Sequence, residues 1–174
     1  MRLFRSSIFT IHLFGAALFA TPTVSIDGDQ ILLDGEPVKT IRLRCSNKLI
    51  SESTTEGLIS SLDTYQSYGL NLDSVFIMGS CFADVKGDLP DGEMDPVYRN
   101  RLKRILSATE KRQVMMIVGC LYWSTSKAKE DLSHWTQRDA DQAIANTARW
   151  LGENEFHYVI LNPDNEGMAT RAMI

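Results

Sequence analysis

Two adjacent residues, Asn165 and Glu166, have side chains that are suited to chemistry on a polar substrate. A glutamate carboxyl group can donate or accept a proton, and an asparagine carboxamide can both donate and accept hydrogen bonds. The pair follows the apolar run Val159–Leu161, which is typical of a buried strand. Functional groups directly after a strand are characteristic of parallel α/β proteins, whose sites form at the carboxyl ends of the strands. The competing interpretation is a solvated carboxylate at a helix N-terminus, where the macrodipole favours acidic residues.

The elements that must position this pair alternate between strands and helices. Apolar runs and helical periodicity predict strands at 39–47, 72–78, 113–122 and 156–162, with helices starting near 53, 96 and 139. Ser53 and Glu56 have capping-box spacing, and Asp95-Pro96 supplies an N-cap and a proline at the first helical position. Strand and helix in alternation predict a parallel sheet with right-handed crossovers. Two Asp-Gly pairs within 24–38 predict a β-hairpin ahead of this sheet.

Composition and spacing exclude several classes of function. The net charge of -4 offers no basic surface for nucleic acid, and no Gly-rich phosphate loop follows any strand. His134 and His157 have no metal-ligand spacing, so we expect neither a metal nor another cofactor. Cys45, Cys81 and Cys120 each come at or just after a predicted strand, where buried free thiols are expected and a single disulfide is the alternative.

The first twenty residues have the layout of a secretory signal peptide. Arg2 and Arg5 precede a largely apolar run at 8–19, and small residues follow up to Ala20. A membrane anchor is the alternative, but the run is shorter than the roughly 20 residues that cross a bilayer. We therefore expect residues 1–20 to be removed, leaving a secreted or periplasmic protein with no membrane contact.

Two segments resemble a known family. Thr147–Leu151 on a helix, followed by His157–Glu166, is similar to the fourth βα junction of the cellulase-like glycoside hydrolase clan, whose members are (β/α)8 barrels with an Asn-Glu pair after strand four. Asp34–Val38, leading into the first strand, also resembles the entry to such barrels. The resemblance implies an α/β fold, the N-terminal half of a (β/α)8 TIM barrel with about four parallel strands. Residues 24–38 would form its entry hairpin and residues 39–174 the partial barrel.

The resemblance also implies roles for the pair. Glu166 would be the general acid/base, and Asn165 would hydrogen-bond the sugar 2-hydroxyl next to the scissile bond of a carbohydrate substrate. Retaining hydrolysis needs a second carboxylate about 5 Å away, which the family places after strand seven. We predict no strand beyond the fourth, and so expect little or no activity, and self-association through exposed barrel edges. A non-catalytic carbohydrate-binding half barrel and an unrelated exported domain with an open sheet stay open as alternatives.

Three aromatic residues and one arginine complete the predicted substrate contacts. A pyranose ring has apolar C–H faces on which aromatic rings stack, and Tyr122, Trp123 and Trp135 lie at or after the end of the third strand. Packing of a long loop onto the barrel rim is the alternative for the two tryptophans. Arg42, in the first strand, can reach the floor of the site or pair with carboxylates beneath the mouth. Trp150 is expected in the core, because it adjoins Leu151 on the inner helical face.

Overall fold

The computed structural model describes residues 23–78, 87–121 and 136–165. Within these ranges a small antiparallel sheet precedes a parallel sheet with helices. The strands are β1 (Val24–Asp27), β2 (Gln30–Leu33), β3 (Glu36–Pro37), β4 (Leu72–Phe76), β5 (Met115–Leu121) and β6 (Val159–Asp164). The helices are α1 (Glu52–Ser67), α2 (Pro96–Glu110) and α3 (Gln137–Glu153). No helix in these three ranges is long and apolar enough to cross a membrane. The predicted signal peptide lies outside the described residues.

The predicted entry hairpin at 24–38 is present, and it carries one more strand than expected. β1 pairs with β2 and β2 with the two-residue β3, both antiparallel. Gly28 and Gly35 adopt positive φ at the two turns, which explains why Asp-Gly pairs occur there. Apolar side chains of this sheet pack against the first residues of β4 and β5, so the hairpin covers the amino ends of the parallel strands.

The parallel strands follow one another in chain order, β4-β5-β6. A strand was predicted at 39–47, whereas the structure has a single bridge there, between Arg42 and Leu72. The backbone nitrogens of Leu43 and Cys45 nevertheless donate to Leu72 O and Ser74 O, at 3.1 and 2.9 Å. We call residues 41–45 the first-strand segment, because they extend the sheet beside β4. An open doubly wound sheet would reverse its strand order, so chain order argues against that alternative.

The three helices cover the same face of the parallel sheet. A single core cluster joins alternate strand residues to all three helices, including Val75, Ile77, Met116 and Val118 from the strands and Leu58, Leu102 and Leu151 from the helices. Trp150 packs against this cluster and against Phe156, with ring centroids 5.7 Å apart, which confirms its predicted core position. Helices on one face are expected for a barrel wall, whereas a doubly wound sheet is covered on both. We call the side of the sheet that faces away from these three helices the inner face.

Helix α1 begins two residues earlier than the sequence predicted. Its N-cap is Ser51, whose Oγ accepts from Thr54 N at 3.1 Å, while Ser51 N donates to Thr54 Oγ1 at 3.1 Å. The predicted capping box of Ser53 and Glu56 was therefore wrong. In the observed capping box, the Thr54 hydroxyl accepts the reciprocal bond that a glutamate usually accepts. The prediction for α2 is confirmed: Asp95 Oδ1 accepts from Val97 N at 2.8 Å.

Candidate functional site

Three strands align one residue each across the inner face, close to their carboxyl ends. The register pairs Phe76 with Gly119, and Gly119 with Asn162. Ser46 lies beside Phe76, since Phe76 N donates to Ser46 O at 3.4 Å. Their neighbours Val75, Val118 and Leu161 belong to the helix-side core or pack against it, so alternation turns these four residues to the inner face. We call Ser46, Phe76, Gly119 and Asn162 the inner-face row.

The inner-face row carries an anchored arginine. The guanidinium carbon of Arg44 lies 5.3 Å from the centroid of the Phe76 ring, and Arg44 Nε donates to Ser46 Oγ at 2.9 Å. Phe76 and Ser46 are buried, at 2% and 5% exposure, whereas Arg44 is exposed. The ring fits because Gly119 has no side chain: a Cβ there would lie 2.3 Å from Phe76 Cε1. Two buried residues and a glycine therefore position one exposed cation.

The predicted Arg42 lies one layer below this arginine. It bridges to Leu72, which belongs to the cluster over the amino ends of the strands, and its side chain is exposed. Arg44, two residues nearer the carboxyl ends, was not selected from the sequence. Two features of the sequence indicate Arg44. Arg42, Arg44 and Ser46 alternate and so share one face of the strand, and an isolated glycine inside a strand, such as Gly119, often marks a place where another group packs closely against the backbone.

Asn165 lies directly after β6, at the carboxyl edge of the sheet. It is 9% exposed, and its Nδ2 has no hydrogen-bond partner among the atoms that the structure describes. A buried amide donor without a partner costs about 1–3 kcal/mol, which a ligand oxygen placed beside it would recover. The preceding Asp164 aligns with Leu121 at the end of β5 and is half-buried. Carboxylate and carboxamide groups thus meet at the edge where the resemblance predicts the site.

Four of the six predicted site residues fall outside the described residues. These are the acid/base candidate and the three aromatic candidates: Glu166, Tyr122, Trp123 and Trp135. Their roles stay predictions. The two that the structure describes lie at opposite sides of the parallel sheet: Asn165 directly follows β6, and Arg42 lies in the first-strand segment, with β4 and β5 between them.

A buried carboxyl group lies on the opposite, helix-covered side. Asp73 is fully buried, its Oδ1 accepts from Ser74 N at 2.6 Å, and burial raises its pKa to about 6. Burial, with the neighbouring Asp73 adding to it, raises the pKa of the Cys45 thiol to about 12. Cys45 packs in the helix-side core, and the raised pKa keeps its thiol protonated at neutral pH.

The cysteine prediction is confirmed for two of the three residues. Cys45 and Cys120 are free and buried. Burial also raises the pKa of Cys120 to about 12. Cys81 lies outside the described residues. Within the described ranges no three His, Cys, Asp or Glu residues come together in a way that could hold a metal ion.

Similar folds occur among solved glycoside hydrolases. The β-1,4-D-mannanase from Cryptopygus antarcticus matches 80% of this chain with a TM-score of 0.55 and 15% identity. The endocellulase from Pyrococcus horikoshii, solved as a complex with cellotetraose, matches 88% with a TM-score of 0.52 and 13% identity. A further glycoside hydrolase matches 81% with a TM-score of 0.54 and 13% identity. These neighbours are TIM-barrel hydrolases.

At these identities the likeness concerns the fold alone. The chain spans 33% of the glycoside hydrolase, 44% of the mannanase and 46% of the endocellulase. No protein-family model matches the sequence, and no curated protein is significantly similar to it. The chain therefore has a glycoside hydrolase-like fold that corresponds to part of a barrel.

Proposed function

We propose that this chain is the N-terminal half of a secreted, glycoside hydrolase-like (β/α)8 barrel that binds a carbohydrate across the carboxyl ends of its strands. The observation that carries the proposal is the buried, unsatisfied Nδ2 of Asn165 at that edge of the sheet. Chain-ordered parallel strands and helices on one face support the barrel. Mannan- and cellulose-like β-linked glycans are the substrate class that the structural neighbours suggest.

Asn165 and Glu166 divide two tasks in this proposal. The carboxamide of Asn165 donates to a sugar hydroxyl and fixes the orientation of the ring beside the scissile bond. The carboxyl group of Glu166 then supplies the proton that the leaving oxygen requires. Tyr122, Trp123 and Trp135 stack on sugar faces, and Arg42 contacts the substrate from the floor of the site.

Retention requires a second carboxylate on the opposite face of the sugar, about 5 Å from the first. The resemblance assigns that nucleophile to a seventh strand, beyond the elements predicted for these 174 residues. We therefore propose that this chain alone binds glycans with little or no turnover. Steady hydrolysis of an aryl β-glycoside by the purified chain, lost in Glu166→Gln, would contradict this part of the proposal.

The binding test uses two asparagine variants. Asn165→Ala removes the amide donor at the strand edge, and Asn100→Ala removes an exposed asparagine on α2 as the matched control. By calorimetry with β-1,4-mannotetraose, Asn165→Ala should weaken binding by about tenfold, or about 1.4 kcal/mol, and Asn100→Ala should leave it unchanged. If Asn165 has only a structural role, Asn165→Ala should lower the midpoint of thermal unfolding and leave the dissociation constant for the sugar unchanged. That result would reject the proposed site.

A second candidate function is a carbohydrate-binding half barrel that pairs with another copy of itself. Within the described residues, the first-strand segment pairs only with β4, and β6 pairs with β5 alone. A twofold rotation would place β6 of each copy beside the first-strand segment of the other, and four strands from each copy would close a barrel. Light scattering by the purified chain tests this: a stable dimer supports it, and a monomer at high concentration contradicts it.

A further inference from the structure

We propose that Asp73 is a proton-dependent switch for the first-strand segment: the segment stays closed over the neutral acid and opens locally when the acid ionises. The segment carries Arg42 and leads into Ser46, so its opening changes one side of the proposed carbohydrate site. This consequence for the site rests on the proposed function. The switch itself rests on the burial of Asp73, on the groups around its carboxyl group and on the short pairing of the segment.

The carboxyl group of Asp73 lies in the core beside the segment. Asp73 is fully buried, its Oδ1 accepts from Ser74 N at 2.6 Å, and the Cys45 thiol hydrogen-bonds to it. The charge of Lys48, a half-buried residue in the turn after the segment, also acts on it. Desolvation outweighs these three groups, so burial raises the pKa of Asp73 to about 6. Loss of the proton therefore leaves an anion in an apolar core.

The elements packed around Cys45 and Asp73 contribute apolar side chains at this depth. The core cluster that contains Cys45 includes Leu58 of α1, Leu102 of α2 and Met116 of β5, and Met116 aligns with Asp73 in the strand register. None of these side chains can solvate an anion. Water or a closer cation must therefore reach the ionised carboxylate from the side of the segment and its following turn.

The first-strand segment pairs with β4 over a shorter length than β5 does. β5 aligns with β4 along Leu72–Phe76, whereas the segment forms one isolated bridge, from Arg42 to Leu72. Its further backbone bonds to β4 come from Leu43 N at 3.1 Å and Cys45 N at 2.9 Å. Short pairing of this kind opens at a lower free energy than the centre of a sheet. The segment is thus the part of this sheet that we expect to open first.

Two anchors limit the opening to a short stretch. Before it, Asn71 Oδ1 accepts from Ile41 N at 2.8 Å. After it, Arg101 Nη1 of α2 donates to Leu49 O at 3.0 Å. Residues 42–48 lie between these anchors and include the thiol that contacts Asp73. An outward shift of this stretch exposes the carboxyl group while the central strands stay paired.

The direction of the pH dependence follows from the tighter proton binding of the closed form. In the open form the carboxyl group meets water and has its ordinary pKa of 3.8, whereas burial raises the pKa of Asp73 to about 6 in the closed form. The closed form is therefore favoured at low pH. Between about pH 4 and about pH 8, these two pKa values increase the equilibrium constant for opening by up to about 60-fold.

The test is native-state hydrogen exchange of the full chain at about pH 4 and about pH 8. After correction for intrinsic rates, the protection of the Leu43 and Cys45 amides should fall by up to about 60-fold. Their exchange should not respond to about 0.5 M urea, because a local opening exposes little surface. The Ile77 amide, which donates to Gly119 O at 2.8 Å, is the internal control. It should exchange more slowly at both pH values and should accelerate in urea.

Two variants identify the titrating group. Asp73→Asn should remove the pH dependence of protection at Leu43 and Cys45, and Asp63→Asn, which removes an exposed carboxylate of α1, should keep it. Unchanged protection of the native chain between the two pH values overturns the switch. So does urea acceleration equal to that of Ile77, because the carboxyl group is then exposed only by global unfolding. Both results come from the native chain and do not require a variant to fold.

Calorimetry with β-1,4-mannotetraose tests the consequence for the site. The native chain should bind more weakly at about pH 8 than at about pH 4, by no more than the same 60-fold, and Asp73→Asn should bind equally at both. Equal binding by the native chain overturns the control of the site by the segment. If no sugar binds at either pH, the proposed function fails, and hydrogen exchange still decides whether the switch exists.

Discussion

Replacing Asp73 by asparagine should stabilise the fold at neutral pH. Asp73 of β4 is fully buried on the helix-covered side of the sheet, and burial raises its pKa from 3.8 to about 6. The Ser74 amide, the Cys45 thiol and the charge of Lys48 oppose this rise without cancelling it. A rise of about two units corresponds to about 3 kcal/mol between the two protonation states. Ionised Asp73 therefore costs the folded chain up to about that free energy.

The sign of the pH dependence follows from the raised pKa. The folded chain holds the Asp73 proton more tightly than the unfolded chain, so the protonated acid causes no loss of stability below about pH 4. As the pH rises through about 4 to 6, the unfolded chain releases the proton first, and the free energy of unfolding falls. The carboxamide introduced by Asp73→Asn cannot ionise, and its oxygen can still accept from Ser74 N.

Urea denaturation followed by circular dichroism, from about pH 4 to pH 8, measures the difference. The stability advantage of Asp73→Asn should rise from near zero to as much as about 3 kcal/mol over this range. An advantage that does not change with pH, or a variant less stable than the native chain at about pH 8, would refute the reasoning.

A second aspartate provides a control with the opposite sign. Arg112 Nε donates to Asp63 Oδ1 at 2.6 Å on the surface between α1 and α2, and this bond lowers the pKa of Asp63. Asp63→Asn should therefore be slightly less stable than the native chain at neutral pH. This difference should vanish as the pH falls and Asp63 takes up its proton.

Three further results are expected. Gly119→Ala should lower the free energy of unfolding by about 1–3 kcal/mol in urea denaturation, because the new Cβ overlaps the Phe76 ring, and an unchanged stability would contradict the packing. A thiol-reactive disulfide reagent should not label Cys45 or Cys120 in the folded protein and should label both after unfolding. Rapid labelling of either cysteine in the folded protein would be inconsistent with burial. Expression in a secreting host should yield a chain cleaved near Ala20, and an intact N-terminus would oppose the export prediction.

The sequence predicts the parallel sheet well because its strands are strongly apolar. β4 and β5 are almost fully buried, and such continuous runs are distinct from the amphipathic helices between them. The first-strand segment was harder to predict, since it pairs with β4 on one side and alternates apolar residues with exposed arginines. Its length was therefore overestimated. Likewise, the cap of α1 was misplaced because two serines lie near the start of the helix and either is a good N-cap.

The candidate site was only partly predictable. Asn165 stands out in sequence because it follows a strand, but its burial and its unsatisfied Nδ2 depend on packing that sequence periodicity does not describe. The different positions of Arg42 and Arg44 could not be predicted from the sequence either. Alternation puts both arginines on one face of the sheet. Which of them lies level with Phe76 and Gly119 along the strands depends on the register between strands.

The most direct test of the carbohydrate site is to map where β-1,4-mannotetraose binds by the amide resonances of the isotopically labelled chain. We expect the largest shift changes at Ser46, Gly119, Asn162 and Asn165, because these residues lie at or near the carboxyl ends of the parallel strands. Changes confined to the β1–β3 sheet or to the outer surfaces of the helices, or no changes at saturating sugar, would contradict the account.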